Sequence, residues 1–124
     1  MHHSLVEVLP NAIHDQLTQG RQLHLIDVRP AYDFKQGHPN GALSIPCECI
    51  SRTEIRRRLG DEAGREKPIY LISGSGRKAA EVARKLHAQG LPQCLLVRGG
   101  TQAWAEDYPL ARTASARDFD QARP

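Results

Sequence analysis

Two hydrophobic spacings alternate along the chain. Nearly continuous apolar runs stand at Gln22–Val28 (QLHLIDV), Pro68–Ser73 (PIYLIS) and Gln93–Val97 (QCLLV). Runs of this length and composition predict strands buried on both faces. Between them the spacing changes to helical. Ala79, Val82, Ala83 and Leu86 share one face of a predicted helix over Arg77–Ala88, with Gly90 as its stop. LPNAIHDQLTQG places Ile13 and Leu17 four apart and ends in Gly20, which predicts a short helix. RTEIRRRLG predicts another, with Ile55 and Leu59 inward and Gly60 closing it.

Shorter strands are expected at Ser4–Val8 and Ala42–Ile45. Pro30 ends the strand at 22–28 and starts a helical turn through Phe34. DEAGREK reads as a charged surface loop, and RGGTQAW as a sharp turn into a last short helix with Trp104 as a core plug. Strands and helices thus alternate repeatedly. The predicted fold is α/β, a mostly parallel central sheet of four to five strands flanked by helices on both faces, because parallel strands need helical crossovers. With 124 residues the chain is expected to form one domain, residues 1–112, followed by a polar tail, 113–124; everything beyond Leu110 is polar and aperiodic and is expected to be frayed or loosely docked.

Charge narrows the partners only slightly. The net charge of +3 and pI near 9.0 favour anions. The basic run Arg56, Arg57, Arg58 is followed by Asp61 and Glu62 without interleaved aromatics, which fits a solvated helix face and not a nucleic-acid site. No apolar run has the length of a membrane span, and the N-terminus lacks the layout of a signal peptide. Three cysteines, Cys47, Cys49 and Cys94, are too few for a disulfide framework and read as free thiols. A cytoplasmic location is expected. Cys47-x-Cys49 lacks zinc-knuckle spacing and His14, His24 and His87 are scattered, so no metal or cofactor is expected.

In parallel α/β sheets ligands sit beyond the carboxyl ends of the strands. For PIYLI that position is the loop Ser73, Gly74, Ser75, Gly76, Arg77, Lys78. Strand, small-residue loop and helix together build a backbone cradle for an anion. The N–H groups of residues 74 to 78 are expected to converge near Ser73 Oγ, with Arg77 and Lys78 adding charge at the rim. Three known loops fit poorly. A Walker A loop needs a Gly-Lys-Ser/Thr that is absent, and a nucleophile elbow on Ser75 needs Gly at position 73. Gly74-x-Gly76-x-x-Ala79 matches the relaxed dinucleotide fingerprint, but Arg98, not an acid, ends the next strand.

From about Leu5 to Leu110 the chain resembles a rhodanese domain. LIDVRPAYDFKQGHPNGALSIP is similar to that family's Asp-x-Arg strand end, acidic and aromatic turn, and Gly-His…Gly-Ala…Ile-Pro segment. IYLISGSGRKAAEVARKLHAQG is similar to its active-site strand, six-residue loop and helix, and CLLVRGGTQAW to its terminal strand, Gly-Gly turn and Trp. The resemblance implies sulfur transfer from a small anionic donor such as thiosulfate to cyanide or a thiol, through a Cys persulfide, with a protein partner as a further option. Two departures stand out. Gly37-His38-Pro39-Asn40-Gly41-Ala42 replaces Gly-His-Ile-Pro-Gly-Ala, and the catalytic Cys falls at Ser73.

A hydroxyl is a poor substitute. Loop amides and a helix N-terminus lower a thiol pKa toward neutrality, but a hydroxyl starts several units higher and needs an adjacent base. Oxygen carrying sulfur would also yield no transferable sulfane. His38 could be offered as the base, but is read as holding its own loop, while Asp27 and Arg29 are read as a pair tying two loops together. Three accounts of the serine stand side by side: a naturally non-catalytic member, an introduced Cys-to-Ser replacement, or another acting thiol, with Cys47 after Ile45-Pro46 as the candidate. The competing functional class is a non-enzymatic anion-binding or interaction module, and a dinucleotide-binding fragment comes third.

Overall fold

A computed structural model describes residues 5–112. Five strands and five helices alternate: β1 (Glu7–Val8), α1 (Pro10–Thr18), β2 (His24–Asp27), α2 (Ala31–Gln36), β3 (Leu43–Ser44), α3 (Arg52–Leu59), β4 (Ile69–Ile72), α4 (Arg77–Ala88), β5 (Cys94–Val97) and α5 (Gly100–Asp107). The sheet order is β1-β5-β4-β2-β3 and every pairing is parallel. The expected α/β architecture with a parallel sheet is therefore observed, with five strands.

Side-chain alternation along the strands splits the core in two. Ile26, Ile69, Leu71 and Leu96 pack with Ile55 of α3 and with Ala79, Val82, Ala83 and Leu86 of α4. Leu25, Ile72 and Val97 point the other way, onto Ile13 of α1 and Trp104 of α5. Helices thus cover both faces, and Trp104 is the core plug its position suggested.

The strands are shorter than the apolar runs. The run at 22–28 forms β2 over His24–Asp27 only, and Ala42–Ile45 forms β3 over Leu43–Ser44. Ladder bonds nevertheless continue past the ends, from Val28 N to Ile72 O (3.0 Å) and from Ile45 N to Asp27 O (3.1 Å). Apolar content marks burial, which extends beyond regular pairing. The helical turn after Pro30 runs past Phe34 to Gln36. The charged loop after α3 is not wholly a surface feature: Ala63 is buried in the core, and a tight turn closes with Gly64 N donating to Lys67 O (2.7 Å). Beyond Leu110 the chain docks: Ala111 and His38 exchange backbone hydrogen bonds of 2.8 and 2.9 Å. The expected tail, 113–124, lies outside the described residues, as does Ser4.

Candidate active-site loop

β4 ends at Ile72, in the middle of the sheet, and α4 starts at Arg77. The intervening turn is closed by Gly76, which caps α4 at φ +104, a left-handed conformation that favours glycine. This turn folds Ser73 back under the helix. Ser73 is only 1% exposed. Its Oγ accepts hydrogen bonds from Gly76 N (3.2 Å) and Ala79 N (3.0 Å). Ser73 therefore satisfies one of the free N–H groups that every helix N-terminus presents.

The cradle differs in detail from the expectation for residues 74 to 78. The two amides on Oγ belong to Gly76 and Ala79, and Ala79 lies one position further on. The amides of Gly74, Ser75, Arg77 and Lys78 have no hydrogen-bond acceptor among the described residues. They form the open part of the cradle, at the positive end of α4. Ser75, Arg77 and Lys78 are exposed at the rim, where Lys78 Nζ lies 3.4 Å from Glu81 Oε1.

A second segment supports the loop from outside. Thr101 N donates to Ser73 O (2.8 Å) and Gln102 N to Gly74 O (3.0 Å). These are free amides of the first turn of α5, so one helix start is satisfied by the carbonyls of the other's loop. The close approach depends on Gly99 and Gly100, at φ +75 and +65. The sequence signal for this support is the Gly99-Gly100 pair, which by itself predicts only a turn.

Asp27, Arg29 and His38 assemble next to each other but make no hydrogen bond to Ser73. Asp27 is fully buried, and its carboxylate accepts from Arg29 N (3.0 Å), Nε (3.0 and 3.2 Å) and Nη2 (2.8 Å). Arg29 Nη2 also donates to Gly37 O (2.6 Å), which joins the end of β2 to the loop after α2. His38 Nδ1 lies 2.6 Å from Phe34 O, and its ring stacks on Phe34 at 3.7 Å between centroids. Removing one partner of a buried ion pair strands the other charge, at a cost of about 3–5 kcal/mol. Arg29→Ala is expected to lose about that much stability in urea unfolding, and more than Asp27→Ala, because it strands the fully buried Asp27 carboxylate, whereas the partly exposed Arg29 guanidinium can reach water and keeps Gly37 O as a partner. A loss under about 1 kcal/mol would show that the pair does not hold the two loops.

Two of the three thiols, Cys94 and Cys47, are poorly set up for attack. Burial pushes the Cys94 thiol up to about 12. Cys47 is half-buried and its thiol donates to Glu48 Oε1 (3.4 Å). Burial first, and then Glu48, hold it above its ordinary value, against an opposing pull from Lys78. Cys47 lies close enough to feel the charge at the loop rim, yet that environment favours the thiol over the thiolate.

The chain matches the family model of the rhodanese-like domain over residues 9–107, and it belongs to that family. It is 27% identical over 110 residues to the uncharacterised protein YibN of Escherichia coli strain K12, covering 88% of this chain and 75% of that one. It is 25% identical over 91 residues to the thiosulfate sulfurtransferase GlpE of Shewanella oneidensis, covering 73% and 84%. A crystal structure of a thiosulfate sulfurtransferase from Pseudomonas aeruginosa superimposes with a TM-score of 0.75 at 28% identity, over 87% of this chain and 20% of that one. Among the described residues, no helix is long and apolar enough to cross a membrane.

Proposed function

We propose that this chain binds an anionic sulfur donor such as thiosulfate at residues 73–78 and does not transfer its sulfur. The observation that carries the reading is the setting of Ser73, at the position where the family resemblance puts the nucleophilic Cys. Its Oγ is held by two backbone N–H groups and, among the described residues, by no side-chain base. An oxygen so placed keeps its proton, because hydrogen-bond donors alone do not bring a hydroxyl near neutrality. Gly74, Ser75, Gly76, Arg77 and Lys78 supply the receptor: open amides, a positive helix end and two cationic side chains. The rim is open to solvent, which suits a thiol, cyanide or a protein surface as acceptor in an active relative and a binding partner here. Three free thiols fit the reducing, cytoplasmic setting that we infer.

The reading is tested by incubating the chain with thiosulfate and cyanide and measuring thiocyanate, with the protein mass followed in parallel. No thiocyanate above the protein-free rate and no added sulfur are expected. Sustained thiocyanate production that disappears in Cys47→Ala would transfer the chemistry to Cys47.

A further inference from the structure

A cavity of about 280 Å³ opens on the side of the sheet covered by α1 and α5, and no residue of the loop 73–78 lines it. Its lining comes from three parts of the chain. His14, Leu17 and Thr18 belong to α1, Trp104 to α5 with Pro109 just beyond it, and Asn40 to the loop after α2. The apolar wall is fixed in advance. The His14 ring stacks on Tyr108 at 3.7 Å and meets Trp104 edge-on at 5.9 Å, while Trp104 and Leu17 pack into the core on this side of the sheet. The polar wall is fixed as well. Asn40 stands in a tight turn closed by Ala42 N donating to Pro39 O (3.0 Å), and Gly41 of that turn, at φ +97, leans on Leu17.

This turn is one of the two departures from the rhodanese pattern. Asn40 stands where that pattern has Pro, which carries no side-chain donor or acceptor. Among the described residues the Asn40 amide has no hydrogen-bond partner, and the histidine ring nitrogens that have one belong to His38 and His87, not to His14. Thr18 Oγ1 donates to Asp15 O (2.9 Å) and keeps its lone pairs. No Lys, Arg, Asp or Glu is among the lining residues. We infer that this cavity binds a neutral, planar heteroaromatic of purine size with an adjacent donor and acceptor on one edge, and that Asn40 reads that edge. A cavity of about 150 Å³ holds a benzene ring, so the larger volume here suits a fused bicycle. Flat rings gain most from a preformed wall of aromatic and aliphatic groups. A side-chain amide offers a donor and an acceptor side by side, the arrangement that pairs with the amino group and ring nitrogen of adenine. A phosphorylated ligand would bring charge to a lining that has none to offset it. The inference is independent of the anion reading of the loop.

The test is equilibrium binding of adenine, unsubstituted purine and adenosine monophosphate to the full chain. Trp104, the single tryptophan, reports by fluorescence, and the His14 ring and the Asn40 side-chain amide report by NMR. Adenine is expected to bind with a Kd of about 1 mM or tighter, with shifts confined to α1, Asn40 and the end of α5. Purine keeps both rings and lacks the amino donor, so it is expected to bind about fivefold more weakly, the loss of one neutral hydrogen bond. Asn40→Ala is expected to abolish that preference and to bind both ligands alike. Adenosine monophosphate is expected to bind no tighter than adenine. Absence of adenine binding up to about 5 mM overturns the site, as do shifts centred on residues 73–78. Purine binding as tightly as adenine overturns the recognised edge, and an unchanged preference in Asn40→Ala overturns the role of Asn40. Monophosphate binding more than about tenfold tighter than adenine overturns the neutral ligand. The comparison of adenine with purine on the parent chain decides the class even if Asn40→Ala folds poorly.

Discussion

Gly100→Ala is expected to destabilise the domain by about 4 kcal/mol or more and to dismantle the loop at Ser73. Two costs combine. Gly100 has φ +65, where a Cβ is strained by about 1–2 kcal/mol. The added methyl would also fall 2.5 Å from Gly74 O and closer still to Ser73 O. Those atoms are backbone, anchored by β4 on one side and by the amides of Thr101 and Gln102 on the other. No side chain can swing away, so the α5 start and the loop must separate and both hydrogen bonds are lost. Gly20 provides the control. It has φ +86 but nothing within 4 Å of an added Cβ, so Gly20→Ala carries only the backbone strain. In thermal unfolding, each 1 kcal/mol is worth roughly 4 °C for a domain of this size, so the two variants are expected to differ clearly. Equal loss in both would mean that the contact between the loop and α5 contributes nothing.

Ser73→Cys is expected to give the largest change in activity, from none to sustained sulfur transfer. The Sγ would take the place where Gly76 N and Ala79 N now meet Oγ, at the N-terminus of α4 and beside the charges of Arg77 and Lys78. Each of these favours the anion, so the thiol is expected to titrate below its usual value of about 8.5. The thiolate attacks the outer sulfur of thiosulfate, the S–S bond breaks, and sulfite leaves with the electron pair. Cyanide then takes the outer sulfur from the persulfide as thiocyanate and returns the thiolate. Mass spectrometry is expected to show one added sulfur atom after thiosulfate, and thiocyanate is expected to accumulate when cyanide follows. Arg77→Ala in this background is expected to weaken thiosulfate use more at low salt than at high salt. An ordinary, unreactive thiol at position 73 would mean that the loop serves binding alone, and the interaction module would replace the sulfur-transfer ancestry as the explanation.

These results bear on how much of the protein is written locally. The alternation of strands and helices, the helix at Arg77–Ala88 and its buried face, and the loop Ser73–Lys78 at the end of a central strand all follow from periodicity and turn residues. Such features are set by neighbours a few positions apart, and local sequence carries them in full. The chemistry of Ser73 is legible for the same reason: a hydroxyl without a base is a poor nucleophile whatever surrounds it. The sheet order β1-β5-β4-β2-β3, the burial of Ala63 within a charged loop and the docking of Ala111 on His38 are decided only when distant segments pack. The same is true of the loop's support. That Thr101 and Gln102 hold the carbonyls of Ser73 and Gly74, and that Gly100 must lack a side chain, depends on two helix starts meeting across the end of the sheet. The Gly99-Gly100 pair announces a turn but not what it turns against. Likewise the burial of the Ser73 hydroxyl comes from the left-handed turn at Gly76 carrying Oγ beneath Ala79. Local patterns encode where an element begins and which face it buries; which donors are left unsatisfied is a property of the whole packed fold.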